Sequence, residues 1–129
     1  MSNNKNLKDF LPSKTSSYFK NFNRNYQLTN IISKNDVIKC IRTVMDPEIP
    51  VNLYDLGLIY LINISNNNVL VEMTLTNPNC PVAGQMPENV GKSIEVLVDL
   101  KSIEVKLVWE PKWTKDLMTE DAKLALDIF

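Results

Sequence analysis

The sequence predicts an α+β domain in which helices cover one face of a small mixed sheet. Apolar residues recur at helical spacing in some segments and alternate at strand spacing in others, in the element order α-β-β-α-β-α. The length of 129 residues fits one domain, and 44% hydrophobic residues are enough for a buried core. We therefore expect a two-layer α/β sandwich over residues 33–129, preceded by a tail over residues 1–32.

The first helix is predicted over residues 34–45. Ser33 and Asp36 have the spacing of a capping box, in which each side chain accepts a hydrogen bond from the other residue's backbone N–H. An apolar stripe follows, and Asp46-Pro47 ends the helix because proline disfavours helical geometry in the residue before it. Cys40 lies on this stripe and is expected to pack as a small hydrophobic residue.

Three strands are predicted from alternating or β-rich segments. Residues 58–64 and 69–76 flank the three asparagines at 66–68, a residue type that tolerates turn dihedrals, and this arrangement predicts a hairpin. Residues 103–109 alternate between apolar and polar side chains and predict the third strand.

Two further helices complete the predicted domain. An apolar stripe from Met86 predicts a second helix that ends near Leu100, and Pro87 makes its first turn irregular. A short last helix is predicted over residues 120–126, with Thr119 as its cap.

The N-terminal tail differs in composition from the rest of the chain. Residues 1–32 are rich in Asn, Ser and Lys and lack Gly and Ala, a composition typical of disorder. However, five of the ten aromatic residues lie there, and Tyr18, Phe22 and Tyr26 have the spacing of one helical face. The alternative is therefore a segment that docks on a partner or packs on the body. An organellar presequence is disfavoured because such peptides prefer arginine.

Charge, histidine and cysteine counts exclude several classes of function. The tail carries a net charge of +4 and the body −5, and an acidic body is a poor surface for nucleic acid. The chain has no histidine, which excludes Ser-His-Asp and Cys-His sites and histidine-ligated metals. Two cysteines are too few for a disulfide framework, and from the apolar pattern we expect neither a signal peptide nor a membrane-spanning stretch. These features predict a cytoplasmic protein without a membrane partner.

A proline-stiffened loop at residues 46–50 presents two carboxylates, Asp46 and Glu48. Such a pair is suited to ligating a metal or to acid–base chemistry. The same residues also commonly cap backbone N–H groups in a tight turn, and the pattern alone does not decide between these roles.

A second loop, at residues 76–84, contains Cys80 directly before Pro81, a residue suited to the first position of a helix. A thiol at a helix N-terminus meets unpaired N–H groups and the positive end of the helix dipole, which stabilise the thiolate. Spacing alone leaves two readings open, a reactive thiol and an inert capping cysteine.

Three motifs resemble one family of proteins. They are DPEIPVNLYDLGLIY at 46–60, VEMTLTNPNCPVAG at 71–84 and VKLVWEPKWTKDLM at 105–118. Together they are similar to the small metal–sulfur cluster assembly family, which includes SufT, PaaD and the eukaryotic cytosolic iron–sulfur targeting factors. The resemblance covers residues 34–126. The chain departs from it at residues 77–79, Asn-Pro-Asn, where relatives often have a small residue, proline and glycine.

The resemblance implies an accessory factor that helps to assemble iron–sulfur clusters or deliver them to client proteins, without catalytic turnover. It implies that Cys80 contacts the metal, with Glu48, Asp46 and Thr76 as neighbouring polar groups and the two carboxylates as candidate oxygen ligands. The cofactor would be an iron–sulfur cluster or iron, held transiently or shared between two chains of a homodimer. The expected partners are an assembly scaffold and client apoproteins. The alternatives are a metal-free adaptor in the same pathway and a thiol enzyme, which ranks last because the chain has no histidine to act as a base.

Overall fold

One four-stranded sheet and three helices make up the part of the chain that the computed structural model describes, residues 16–22, 30–76 and 85–126. The strands are β1 (Ser16–Asn21), β2 (Ile59–Ser65), β3 (Asn68–Met73) and β4 (Ser102–Leu107). The helices are α1 (Lys34–Ile41), α2 (Gln85–Ile94) and α3 (Glu120–Ala125), with a 3₁₀ turn at Lys115–Leu117. The predicted α+β class is confirmed. None of these helices is long and apolar enough to cross a membrane.

The sheet is mixed, with strand order β1-β4-β3-β2. The central strands β3 and β4 are parallel, and Val71 stands opposite Val105 in their register. Parallel neighbours need a crossover connection, which α2 supplies between them. The two outer pairs, β2 with β3 and β1 with β4, are antiparallel.

One face of the sheet is buried against the helices. Every second side chain of β3 is buried, and in β4 Ile103 and Val105 are buried on the same face, as expected for strands with one covered face. Each buried aliphatic side chain contributes about 1.5–3 kcal/mol to stability. The opposite face, called here the open face, carries half-buried residues, among them Glu72 and Lys106. The centre of the core is formed by Val37, Ile41, Val69, Val71, Met73, Val90, Ile94, Ile103 and Val105, all 2% exposed or less.

Part of the predicted tail belongs to the sheet. Residues 16–21 pair with β4 as an edge strand, so the disordered alternative is wrong for this segment and so is the helical one. The ring of Tyr18 packs on Gly91 of α2, its hydroxyl donates to Glu95, and Lys20 forms an ion pair with Glu95 at 3.4 Å. Burial and the Glu95 hydrogen bond raise the pKa of Tyr18 to about 12. Because β4 has an unpaired edge, strand pairing outweighs the helical spacing of the aromatic residues. Tyr26 lies outside the described residues.

The first two helices are shorter than predicted. The helix predicted to reach Met45 ends at Ile41, because Val44 and Met45 pair with Leu53 and Asn52 instead of continuing the helix. The second helix ends at Ile94 rather than near Leu100, and two turns follow in which Val96 and Val98 are exposed.

The predicted caps are confirmed. Ser33 and Asp36 form both hydrogen bonds of the capping box, at 3.0 and 3.1 Å. The hydroxyl of Thr119 accepts a hydrogen bond from the N–H of Ala122 at 3.3 Å and begins α3.

The predicted hairpin is confirmed, and its turn has a second role. Asn66 and Asn67 both have positive φ, 51° and 62°, as a type I′ turn requires. Asn67 is 3% exposed, and its side chain accepts from the N–H of Ile32 at 3.0 Å and donates to the carbonyls of Asn30 and Asp99. One turn residue therefore joins the hairpin to two other segments.

We expect Asn67→Gly to lower the free energy of unfolding by about 1–3 kcal/mol, because it leaves the buried N–H of Ile32 without its acceptor. Asn66→Gly is the matched control, since Asn66 has the same backbone conformation but an exposed side chain. Glycine fits both backbones, so the control should change stability by less than about 0.5 kcal/mol in urea unfolding. Equal losses in the two variants would contradict this role of Asn67.

The placement of β1 predicts coupling between Gly91 and Tyr18. A Cβ added at Gly91 would lie 2.1 Å from the Tyr18 ring, so Gly91→Ala should destabilise the protein although alanine favours a helix. In a Tyr18→Ala background the same change should be neutral or stabilising. Urea unfolding of the four proteins in this double-mutant cycle measures the coupling. Additive effects would show that β1 does not pack on α2.

Candidate functional site

The three family-like motifs meet at one end of the sheet. The N–H of Thr74, just after β3, donates to the carbonyl of Leu58 at 2.8 Å. The N–H of Val108, just after β4, donates to the carbonyl of Met73, also at 2.8 Å. Because β3 and β4 run parallel, both end on the same side. We call this side, where residues 74–76 and 108–113 leave the strands, the loop end of the sheet.

Aromatic side chains hold the third motif against the first. The indole Nε1–H of Trp113 donates to the carbonyl of Leu56 at 2.7 Å, and the hydroxyl of Tyr60 donates to the carbonyl of Pro111 at 2.7 Å. Burial raises the pKa of Tyr60, and the nearby Glu110 carboxylate adds to this effect. Residues 109–114, with two tryptophans, have a sequence typical of a segment that packs a strand end and fixes the exit of the chain, and Trp113 does so. Trp109 is 44% exposed and faces solvent.

Gly57 allows its own backbone and the backbone of Leu117 to approach each other closely. Its φ of +82° lies in the region that glycine tolerates best, and an added Cβ would lie 2.2 Å from the backbone oxygen of Leu117. The N–H of Thr119 also donates to the carbonyl of Asp55, at 2.9 Å. The first motif and the segment before α3 are therefore locked together by backbone contacts.

Two clefts open at the loop end and share Glu110. The larger, of about 580 Å³, is called here the tyrosine cleft and is lined by Tyr54, Tyr60, Glu72, Val108, Glu110 and Leu117, among others. The smaller, of about 200 Å³, is called here the tryptophan cleft and is lined by residues 74–76 together with Trp109, Lys112 and Trp113. The tryptophan cleft therefore borders the point where the loop that contains Cys80 leaves β3.

Asp46 caps its own loop. Its Oδ1 accepts hydrogen bonds from the N–H groups of Glu48 and Ile49 at 2.8 and 2.9 Å, which is the turn-capping alternative raised from the sequence. Glu48 is exposed. Among the described residues, no hydrogen bond or ion pair joins either carboxylate to Thr76. Their role as oxygen ligands stays a prediction.

A polar network supports the base of the first motif. Asp55 and Asn52 bond each other twice, since the Asn52 amide donates to the Asp55 carboxylate at 2.8 Å and the Asp55 N–H donates to the Asn52 side chain at 2.9 Å. Arg42 forms an ion pair with Asp55 at 3.5 Å, and its guanidinium lies 5.1 Å from the centre of the Tyr54 ring. This network connects α1 to the wall of the tyrosine cleft.

The two cysteines occupy different places in the chain. Cys40 is 9% exposed on α1, and burial raises the pKa of its thiol, with the Asp36 carboxylate adding to the shift. Cys80, Pro81 and the departure at residues 77–79 lie outside the described residues. Thr76, which begins their loop, is exposed. Within the described ranges, no three metal-binding side chains of the His, Cys, Asp and Glu types come together.

The comparisons with known proteins agree with the motifs. Residues 34–107 match the family described as "Iron-sulfur cluster assembly protein". The chain belongs to this family. The resemblance inferred from the sequence is therefore confirmed, and the family match contains α1, β2, β3, α2 and β4 but not β1.

Two relatives and one solved structure match the chain over most of their own length. An "Fe-S protein maturation auxiliary factor" of Porphyromonas gingivalis is 46% identical over 95 residues, which cover 73% of this chain and 90% of the relative. The "Fe-S protein maturation auxiliary factor SufT" of Staphylococcus aureus is 38% identical, over 66% of this chain and 98% of the relative. A crystal structure of a domain of unknown function from Bacillus anthracis has a TM-score of 0.69 at 39% identity and covers 74% of this chain and 92% of that one.

Sequence reasoning did not single out several residues that shape the site. Tyr54, Tyr60 and Glu72 line the tyrosine cleft. The available signal was their position inside the quoted motifs. What they contact depends on which strands are neighbours, which the motifs do not state.

We expect Cys80 to react with iodoacetamide at neutral pH much faster than Cys40. The raised pKa of Cys40 leaves little thiolate at pH 7, and burial limits access to it. Quantitative peptide mass spectrometry of the native protein measures both rates, and the urea-unfolded protein shows whether folding causes the difference. Equal rates, or faster labelling of Cys40 in the native protein, would contradict the assignment.

Proposed function

We propose that this protein is an accessory factor in iron–sulfur cluster assembly or delivery, and that it acts through the thiolate of Cys80. The observation that carries the proposal is the meeting of the three family motifs at the loop end of the sheet, where the loop containing Cys80 begins at Thr76. The printed names of the relatives, as maturation auxiliary factors, support the same role. A reducing compartment such as the cytoplasm suits a protein that depends on a free thiol.

The chemistry of the available donors favours transient contact with a cluster. One thiolate is a good ligand for iron but holds a cluster weakly compared with the four cysteines of a permanent site. Glu48 offers an exposed carboxylate, and Asp46 has one oxygen already committed to its turn. The cluster is therefore cargo for this protein, and the proposed role involves no catalytic turnover. A cluster shared by two chains of a homodimer would double the number of thiolates.

A metal-free adaptor that brings an assembly scaffold and client apoproteins together is the second candidate. The observation that favours it is the pair of clefts at the loop end, whose aromatic side chains suit contact with another protein. Anaerobic reconstitution with iron and sulfide distinguishes the two candidates. Cysteine-dependent visible absorption supports cluster contact, whereas partner binding without absorption supports the adaptor.

The test of the proposed function is replacement of Cys80. Serine is similar in size and also caps helices, so Cys80→Ser should change the free energy of unfolding by about 1 kcal/mol or less. Cells that carry this variant in place of the wild type should lose most of the activity of an iron–sulfur enzyme such as aconitase under iron limitation. Full activity with Cys80→Ser would show that the thiol is structural and would favour the adaptor.

Three further variants separate ligand loss from misfolding. Glu48→Gln removes an exposed charge and should reduce enzyme maturation less than Cys80→Ser does. Asp46→Asn keeps an oxygen for the two N–H groups of its turn, and it should reduce maturation less than Glu48→Gln does because one Asp46 oxygen is already committed to that turn. Cys40→Ala should lower stability because it removes a buried side chain, but it should leave maturation intact while the protein is folded.

A further inference from the structure

The tyrosine cleft has the chemistry of a site for a basic, partly apolar peptide. It holds two carboxylates, Glu72 on the open face of β3 and Glu110 in the segment after β4. Ile59, Val108 and Leu117 add apolar surface, and none of the described residues that line the cleft is basic. Lys106, which stands opposite Glu72 in the β3–β4 register, is a cation beside the cleft rather than in its lining.

The segment that precedes β1 has the complementary composition. Residues 1–15, MSNNKNLKDFLPSKT, contain three lysines and one aspartate, together with Leu7, Phe10 and Leu11. The segment has a positive net charge, whereas the body of the chain has a net charge of −5. Opposite net charges attract the segment to the body. The family match begins at residue 34, so this segment and β1 lie outside the matched range.

β1 begins at the loop end of the sheet, so residues 1–15 join the sheet at the end where the tyrosine cleft lies. Ser16, the first residue of β1, stands opposite Lys106, and β4 continues from there to Val108 in the wall of the cleft. Only β4 separates β1 from β3, so Ser16 is about 10 Å from the strand that carries Glu72. Fifteen residues can span up to about 50 Å. Tethering this close gives a local concentration on the order of millimolar.

We propose that residues 1–15 dock in the tyrosine cleft of their own chain, with lysines against Glu72 and Glu110 and Phe10 on the apolar wall. The docked segment covers part of the loop end, where the family motifs meet. Another protein that uses this cleft has to displace the segment first. The inference depends on the cleft, the charges and the exit point, and it holds whether or not Cys80 contacts a cluster.

Chymotryptic cleavage of the Phe10–Leu11 bond in the full chain tests the proposal. Docking shields this bond, so the double variant Glu72→Gln/Glu110→Gln should be cleaved roughly five-fold faster than the wild type at low salt, as expected for the loss of two exposed charge pairs. High salt should raise the wild-type rate towards that of the variant. Glu88→Gln, on α2 and outside the cleft lining, is the matched control and should match the wild type.

Substitutions within residues 1–15 test the same proposal without any change in the body of the chain. Lys8→Gln/Lys14→Gln should accelerate cleavage as much as the cleft variants, whereas Lys8→Arg/Lys14→Arg keeps the charges and should stay slow. Synthetic peptides of residues 1–15 with the same changes correct for the protease's own sequence preference. Equal corrected rates in all of these proteins would overturn the proposal.

Carbodiimide cross-linking of the full chain identifies the docked pairs. Peptide mass spectrometry should find Lys5, Lys8 or Lys14 joined to Glu72 or Glu110, in monomers and independently of protein concentration. Cross-links that appear only between two isotopically distinct copies would show that the occupant is the segment of a second chain and would overturn docking within one chain. Cross-links from these lysines to carboxylates scattered over the body, without preference for the cleft, would also overturn it.

Discussion

The parallel pairing of β3 with β4 is the constraint on which the rest of the structure depends. Parallel neighbours cannot be joined by a tight turn, so the chain between them must cross over, and α2 does this while it buries Val90 and Ile94 against the sheet. The same pairing makes both strands end on one side. The loop that contains Cys80 leaves from the end of β3, and residues 108–113, which contain both tryptophans, leave from the end of β4. The points where these two segments leave the sheet are therefore neighbours because of strand direction.

The wall of the site is held by backbone acceptors rather than by a side-chain cluster. Trp113 and Tyr60 both donate to backbone carbonyls, and Gly57 lets two backbone segments approach closely. Contacts of this kind depend on the shape of the loops, and they leave the side chain of Glu110 exposed at the surface of the domain. In the proposed role of Cys80, this wall provides position and the loop provides chemistry, a division that is common in proteins.

β1, at residues 16–21, changes one edge of the domain. β1 covers the edge of β4, its Tyr18 ring fills the space over Gly91, and the Tyr18 hydroxyl and Lys20 meet at Glu95. A charged side chain on an edge strand also discourages pairing with another sheet. β1 therefore protects one edge of the sheet and begins at the loop end.

Local sequence determined much of this protein, because caps, turns and periodic stripes depend on residues close in the chain. The capping box of Ser33 and Asp36, the Asn66–Asn67 turn, the buried position of Cys40 and the α+β class could all be predicted in this way. The motifs also identified the family, since they lie in the right order along the chain. Only the tertiary structure decided that residues 16–21 form a strand, that α1 stops at Ile41 and that Trp113 bonds to Leu56. In each of these cases the deciding partner lies elsewhere in the chain: an open strand edge, the segment at residues 52–53, and a carbonyl 57 positions away. No local pattern contains that information, because it depends on which strands become neighbours in the sheet.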